Sequence, residues 1–256
     1  MTSTIQFKFQ GKRVLITGGV SGIGAATALA FKNAGAHVVV TGLTDTEVNA
    51  AKNDPDFSNI EVYKLDVAKQ NEIDDLRNTI NSIDYLIHCA GMILRDAEHE
   101  PHNFEKVLNV NVSGGMRVTH AFKDLLKKNQ GAIVFIASIM AIFGGPKQPA
   151  YSASKGAIKN LTMSLGCAYA ADGIRVNAIA PGFVMTNFSK GARDNPSRNE
   201  EVLSRTPMKR WAETDEIADP ILFLCSDLLS SLLSILQFYL LHLYLSLLHL
   251  SLVALL

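Results

Sequence analysis

The chain has 256 residues, nearly half of them apolar, which suits one large α/β domain or two small ones around a sizeable core. Its 24 basic and 24 acidic side chains cancel, so nothing in the charge balance argues for nucleic acid or anionic lipid as a partner. Three widely spaced cysteines (Cys89, Cys167, Cys225), without a CxxC or Cys/His cluster, give neither a disulfide framework nor a metal site, and they suit a reducing compartment.

The opening stretch to Lys12 lacks the apolar run of a secretory signal, so a cytoplasmic protein is expected. Residues 12–17 (KRVLIT) read as a strand that ends in a glycine-rich stretch. A helical pattern over Ala25–Asn33 stops at Gly35, and Ala36–Thr41 is a second strand. Ile60–Lys64 and Ile83–His88 are further strands, with helical spacing over Lys69–Ile80 between them. Pro101–Lys128 reads as one long helix, Gly131–Ala137 as a buried strand, Pro149–Ala171 as a second long helix, and Gly173–Ile179 as another strand. The polar stretch Thr186–Arg210 reads as a lid-like insertion with a short helix. Strands that alternate with helices, most of them apolar on both faces, predict an α/β fold. It is a doubly wound parallel sheet with helices on both faces, Rossmann-type, in a single domain over residues 1–227.

The turn Thr17-Gly18-Gly19-Val20-Ser21-Gly22-Ile23-Gly24 joins the first strand to the first helix. Gly18 allows the tight turn, and Gly22 and Gly24 let backbone approach a pyrophosphate at the helix N-terminus. An acid at the end of the second strand would favour NAD(H); Gly42 and Leu43 stand there instead. No Arg or Lys stands there, or at Ser21, to attract a 2′-phosphate, though Thr41 and Thr44 could donate to one. The cofactor is therefore read as NAD(H) or NADP(H), leaning slightly to NADP(H).

Tyr151 and Lys155 are four apart and share a helix face. A nearby ammonium favours a phenolate, which would lower the Tyr151 pKa toward neutrality and suit it to proton transfer. On its own, such a pair is equally a surface Lys on an amphipathic helix. Ser138 lies just past a strand's C-terminal end, where the cofactor crevice of such a sheet is found, although a serine there could simply cap a turn. Asn111 interrupts a helix followed by Gly114-Gly115, a local penalty of the kind found where chemistry overrides propensity.

The GxxxGxG spacing resembles that of the short-chain dehydrogenase/reductase family, and the likeness extends over roughly residues 10–227. The chain looks like a 3-oxoacyl-(acyl-carrier-protein) reductase-like member. The resemblance implies that Gly18, Ser21, Gly22, Ile23, Gly24, Gly42 and Leu43 hold the nucleotide, with Asp66 and Val67 at the adenine. It places Cys89, Ala90 and Gly91 at the end of the family's Asn-Asn-Ala-Gly turn, with His88 and Cys89 replacing the asparagines. It puts Pro181, Gly182, Val184 and Thr186 at the nicotinamide carboxamide. Asn111, Ser138, Tyr151 and Lys155 match the family's catalytic residues, Tyr151 and Lys155 also touching the cofactor. Asn111 would hold a helix kink and a water leading to Lys155.

The implied reaction is hydride transfer between a nicotinamide and a secondary alcohol or ketone, with Tyr151 as acid/base. The substrate is a small molecule such as a 3-oxoacyl thioester, a sugar-derived ketone or a small cyclic ketone. The family implies a homodimer or homotetramer. Two alternatives are a protein that senses NAD(P) without turnover and a membrane-tethered reductase. Met92, Met140, Phe143, Phe183 and Met185 are candidates for an apolar substrate pocket. Arg95, Lys190 and Arg193 flank the substrate side, as an acid-holding group or as ordinary surface charge.

The ending departs from this pattern. Leu228–Leu256 holds 15 Leu and five Ser, with no charged residue and no glycine. It reads as a membrane anchor, as a helix for a partner subunit, or as the product of a shifted reading frame, the last being favoured by the abrupt change in composition. Membrane attachment is expected only if this tail is genuine, and in that case the final strand of the sheet is missing.

Overall fold

The computed structural model describes residues 7–229 and 238–239. The strands β1 (Arg13–Thr17), β2 (His37–Gly42), β3 (Glu61–Lys64), β4 (Tyr85–His88), β5 (Ala132–Ile136) and β6 (Arg175–Ala180) form a parallel sheet in the order β3-β2-β1-β4-β5-β6. Between β1 and β4 the winding direction reverses, which opens a crevice at the C-terminal ends of the strands. The apolar runs explain this order. Leu15, Ile16, Val39, Leu86, Ile87, Ile133 and Val134 are fully buried, because helices cover both faces.

One face is packed by α1 (Gly22–Asn33), reaching Phe31 in the core. The helix α2 (Asp45–Asn53) connects β2 toward β3, and α3 (Gln70–Thr79) connects β3 to β4. The sequence reading missed α2, whose start is marked by a capping box. The Thr44 hydroxyl accepts from the Glu47 N–H at 3.2 Å, while Glu47 Oε2 accepts from the Thr44 N–H at 2.9 Å. Replacing Thr44 by Ala should lower unfolding free energy by about 1 kcal/mol, read as a lowered urea midpoint with unchanged slope.

The predicted helix over Pro101–Lys128 is present without a break but is not α-helical throughout. It consists of α4 (Pro101–Leu108), a π-helical segment over Asn109–Gly114, and α5 (Gly115–Asn129). The wider turn lets the helix come down on the sheet. A Cβ at Gly114 would lie 2.7 Å from Val67 Cγ2, and one at Gly115 would lie 3.0 Å from the His88 ring. The short α6 (Met140–Phe143) follows β5, and the long α7 (Pro149–Tyr169) leads toward β6.

The predicted lid is more helical than expected. It carries a 3-10 turn at Asn187–Ser189, then α8 (Lys190–Arg193) and α9 (Pro196–Ser204), each too short to show a clear apolar period. The helix α10 (Asp215–Cys225) packs on α1, and the Arg175 guanidinium donates to its last carbonyls, Leu224 and Cys225.

The strand β7 (Phe238–Tyr239) pairs in parallel with Ile179 and Ala180 of β6. This corrects the expectation of a missing final strand: backbone pairing at a sheet edge asks little more of the sequence than β-compatible residues, which Phe and Tyr are. The rest of the Leu-rich tail beyond residue 229 lies outside the described residues. Among the described residues no helix is long and apolar enough to cross a membrane.

Candidate active site

The predicted site residues fall along the C-terminal ends of the strands. Gly18, with φ 64°, lies against the backbone of Cys89 and Ala90, where a Cβ would be 2.8 Å from the Ala90 nitrogen. A Cβ at Gly24 would be 2.2 Å from the Gly18 carbonyl oxygen. Turn and helix therefore interlock through bare backbone. The N-terminus of α1 has no side-chain cap from Ser21 and no acid in its first turn, which leaves its N–H groups and positive dipole end to an anionic group. Gly22, with φ 53°, faces the Thr186 methyl, at 3.3 Å from a built Cβ, so the segment after β6 closes over the turn. These residues fit a dinucleotide pyrophosphate.

The adenosine end differs from the sequence picture in one respect. Thr41 is buried, and its hydroxyl accepts from the Gly18 N–H at 3.3 Å, so it braces the glycine turn and does not reach a phosphate. Gly42 packs on Val20, while Leu43 is 55% exposed at the rim. Glu47 Oε2 accepts from the N–H groups of both Leu43 and Thr44, at 2.9 Å each. The acid of this corner thus sits on α2, where only the Thr44-x-x-Glu47 spacing could have shown it. Leu65 N–H donates to the Gly42 carbonyl, which sets Asp66 and Val67 beside this corner. The Asp66 carboxylate accepts from the Ala68 N–H at 2.9 Å.

At the substituted turn, His88 is buried and its Nδ1 bonds to Thr17 Oγ1 at 2.8 Å. Burial, with Lys155 nearby, pushes its pKa down to about 3, so the ring is neutral and braces β1 against β4. The Cys89 thiol is pushed up to about 12 by burial and is no nucleophile at neutral pH. Gly91 follows within 3.3 Å (built Cβ) of Asn111 Oδ1 and 3.9 Å of Lys155 Nζ.

The π-helical turn points Asn111 inward. Its Oδ1 accepts from the Met92 N–H at 2.7 Å, and its Nδ2 donates to the Met92 carbonyl and to Ser154 Oγ, each at 3.0 Å. Ser154 Oγ donates in turn to the Tyr151 carbonyl at 2.7 Å. Asn109, the competing asparagine, is taken by Arg117 at 2.8 Å. Lys155 is buried and donates to the Ile136 carbonyl at 2.6 Å. Its Nζ lies 5.4 Å from the Tyr151 ring centroid. Ser138, buried just beyond β5, accepts from the Met140 N–H at 3.1 Å, and it lies near enough to the Tyr151 phenol to lower its pKa.

The electrostatics correct the sequence expectation for Tyr151. Its pKa is raised, first by burial, with the Glu98 charge adding to the rise and Ser138 opposing it. The reason is mutual burial. Burial also brings the Lys155 pKa down to about 8, so Lys155 stays mostly charged at neutral pH but does not outweigh the burial of Tyr151. Tyr151 is therefore held as a neutral phenol.

A cleft opens over this pair. Ser138, Tyr151, Ile23, Pro181, Gly182, Val184 and Thr186 line it, which joins the catalytic and cofactor candidates at one wall. Of the expected apolar residues Met140 and Phe183 line it, whereas Met92, Phe143 and Met185 do not. Ile93, Phe188 and Trp211 line it in their place. Arg95 lines the cleft as considered, but Lys190 and Arg193 do not. Arg193 instead binds the Thr186 carbonyl and Ser189 Oγ inside the lid. Lys147, Arg198, Glu201 and Arg205 also line it, and were not singled out because single charges on short polar helices look like solvated surface. No group of His, Cys, Asp or Glu able to hold a metal occurs among the described residues.

Residues 18–233 match the family model described as enoyl-(acyl carrier protein) reductase. The chain is 38% identical over 230 residues to the 2-dehydro-3-deoxy-D-gluconate 5-dehydrogenase of Bacillus subtilis, a match that covers 86% of this chain and 89% of that protein. It is 34% identical over 232 residues to the 3-oxoacyl-(acyl-carrier-protein) reductase of Thermotoga maritima, covering 86% and 92%. Among solved structures it resembles a Beutenbergia cavernae protein provisionally described as an NAD(P)-dependent gluconate 5-dehydrogenase, with NADP bound at low occupancy. The TM-score is 0.82 at 33% identity, covering 89% of this chain and 94% of that one. It also resembles an Agrobacterium tumefaciens protein provisionally described as a 2-deoxy-D-gluconate 3-dehydrogenase with bound NADP. There the TM-score is 0.77 at 32% identity, again covering 89% and 94%.

Proposed function

The chain belongs to the short-chain dehydrogenase/reductase family, and from that premise we propose that it is an NAD(P)(H)-dependent oxidoreductase interconverting a secondary alcohol and a ketone of a sugar acid. The observation that carries this reading is that Ser138 and Tyr151 line one wall of a cleft that also presents the candidate nicotinamide-binding segment. The bound nicotinamide supplies or accepts the hydride. Ser138 holds the substrate oxygen and Tyr151 passes it a proton, while Lys155, with Asn111 behind it, returns a proton to the tyrosine. In the oxidative direction the same groups act in reverse.

The sugar-acid substrate is supported by charge as well as by the relatives. The cleft is lined by Arg95, Lys147, Arg198 and Arg205; Glu201 pairs with both Arg198 and Arg205, and Lys147 lies 3.9 Å from Asp96, which still leaves an excess of positive charge suited to an anionic substrate. Arg95 also donates to the Phe188 carbonyl at 2.9 Å, which ties the loop after β4 to the lid. Arg95→Ala should raise KM for a keto-sugar acid about tenfold or more, and that for an uncharged ketone far less, in steady-state assays. Equal losses for both substrates would remove the anion reading and leave a 3-oxoacyl thioester or neutral ketone.

NADP(H) is the preferred cofactor in this reading, supported by the absence of an acid at Gly42 and Leu43 and by the two structural relatives with NADP. Calorimetric titration with NADPH and, separately, NADH tests it, since the tighter ligand identifies the preference. A cytoplasmic homodimer or homotetramer completes the proposal, and light scattering of the purified full chain checks the oligomer. We further propose that residues 1–227 form the catalytic domain and that the Leu-rich ending from residue 228 results from a shifted reading frame. An intact mass matching a conventional glycine-containing ending would support this.

A further inference from the structure

We propose that Glu98 is a positioning residue for proton transfer, a buried carboxylate that grips the peptide of Tyr151 and couples it to the substrate-facing loop after β4. Glu98 is only 1% exposed, on a 3-10 turn over Arg95–His99. A buried ionised carboxylate is costly unless hydrogen bonds compensate it, so its presence calls for a physical reason. Its partners supply one. Oε2 accepts from the Tyr151 N–H at 2.8 Å, and Oε1 accepts from the Leu94 N–H at 2.8 Å.

Both bonds fall at points of consequence. Tyr151 is the third residue of α7, whose own cap residue, Gln148, makes no side-chain cap bond. Glu98 thus caps this helix from another segment, with its negative charge at the positive dipole end. The Tyr151 carbonyl is held from the opposite side by Ser154, itself held by Asn111. The tyrosine's peptide is therefore clamped at both ends, by Glu98 and by the Asn111–Ser154 pair. The second bond fixes Leu94 next to Arg95, a non-glycine residue held at φ 50° that lines the cleft and reaches the lid. A left-handed arginine is held only where the surroundings over-determine it.

The inference rests on the reading of Tyr151 as proton donor. The charged groups around that tyrosine are Lys155 on its own helix, and Glu98 and Arg95 from the segment after β4. Lys147 lies on the loop before α7, and the lid adds Glu201 with Arg198 and Arg205. Among these the Glu98 charge opposes phenolate formation and raises the Tyr151 pKa. Removing the charge should therefore make the phenol more acidic. Ketone reduction, which needs the protonated phenol, should then be lost at lower pH, and alcohol oxidation should gain its phenolate at lower pH.

The experiment compares full-length Glu98→Gln with the wild type, using NADPH and a keto-sugar acid, with Tyr151→Phe and His99→Ala in parallel. Glu98→Gln keeps the shape but puts an amide donor against one of the two N–H groups. Its kcat should fall about tenfold or more, its cofactor KM should stay within about twofold, and the alkaline limb of its pH profile should move to lower pH. His99, whose ring bonds to the Pro146 carbonyl at 3.0 Å, ties the same turn to the loop before α7 without touching Tyr151. His99→Ala should leave the alkaline limb in place. If Glu98→Gln does not fold, Glu98→Asp keeps the charge, so its pH limb should stay while kcat falls. A Glu98→Gln enzyme that is thermally weaker but has the wild-type kcat and pH limb overturns the inference and leaves Glu98 a structural cap. So does a Glu98→Asp enzyme with the wild-type kcat. An active Tyr151→Phe overturns instead the reading on which the inference rests.

Discussion

Replacing Tyr151 by Phe should lower kcat by about two to four orders of magnitude, the usual worth of one positioned acid or base, and leave cofactor affinity within about twofold. The expectation follows from where the hydroxyl lies. It belongs to the cleft wall that Ser138 shares, with Lys155 Nζ 5.4 Å from the ring centroid, and the substitution removes one oxygen without opening a cavity. The peptide of residue 151 would still be held by Glu98 and Ser154, so the helix start should be unchanged. A fall in kcat with unaltered calorimetric binding of NADPH identifies a chemical role. A parallel loss of binding would point to a collapsed cleft instead.

The second large effect is on binding. Gly24→Ala should weaken NADPH about ten- to hundredfold and lower the melting temperature. A Cβ there would lie 2.2 Å from the Gly18 carbonyl oxygen, 2.9 Å from the Gly19 Cα and 3.0 Å from the Gly18 carbonyl carbon. All three are backbone atoms of the turn, so no side chain can swing away. Relief requires α1 to back off from the turn, which carries its N–H groups away from the phosphates. Overpacking of this kind costs about 1–3 kcal/mol, and each 1.4 kcal/mol is about tenfold in affinity. Gly191→Ala is the control: nothing lies within 4 Å of its Cβ position, and it should leave NADPH affinity unchanged. Calorimetry on both variants measures the difference.

The sheet was legible because its strands are apolar on both faces, a pattern that only a sheet covered twice explains. The glycine turn was legible because its spacing carries its own mechanics. Ser138 and Tyr151 could be placed from a strand end and a helix face, and both line the same cleft.

What escaped the sequence is tertiary in origin. The π-helical turn packs where Gly114 and Gly115 pass Val67 and His88, residues distant in the chain. Glu98 lies 53 residues from the peptide it holds and looks, in sequence, like any acid of a polar loop. The rise in the Tyr151 pKa is a burial effect, and burial beside a Lys four residues on is invisible to a helical wheel. The Thr44-x-x-Glu47 box, by contrast, was a readable local signal for α2.

The central claim is that this cleft transfers a hydride rather than sensing a nucleotide. The most direct measurement incubates the full chain with NADPH deuterated at the transferable nicotinamide C4 position and a keto-sugar acid, and follows the product by mass spectrometry. The account predicts one deuterium on the new carbinol carbon, absent with Tyr151→Phe. Tight NADPH binding with no deuterium in any keto-sugar acid, 3-oxoacyl thioester or cyclic ketone offered would contradict it and make the chain a nucleotide-binding protein.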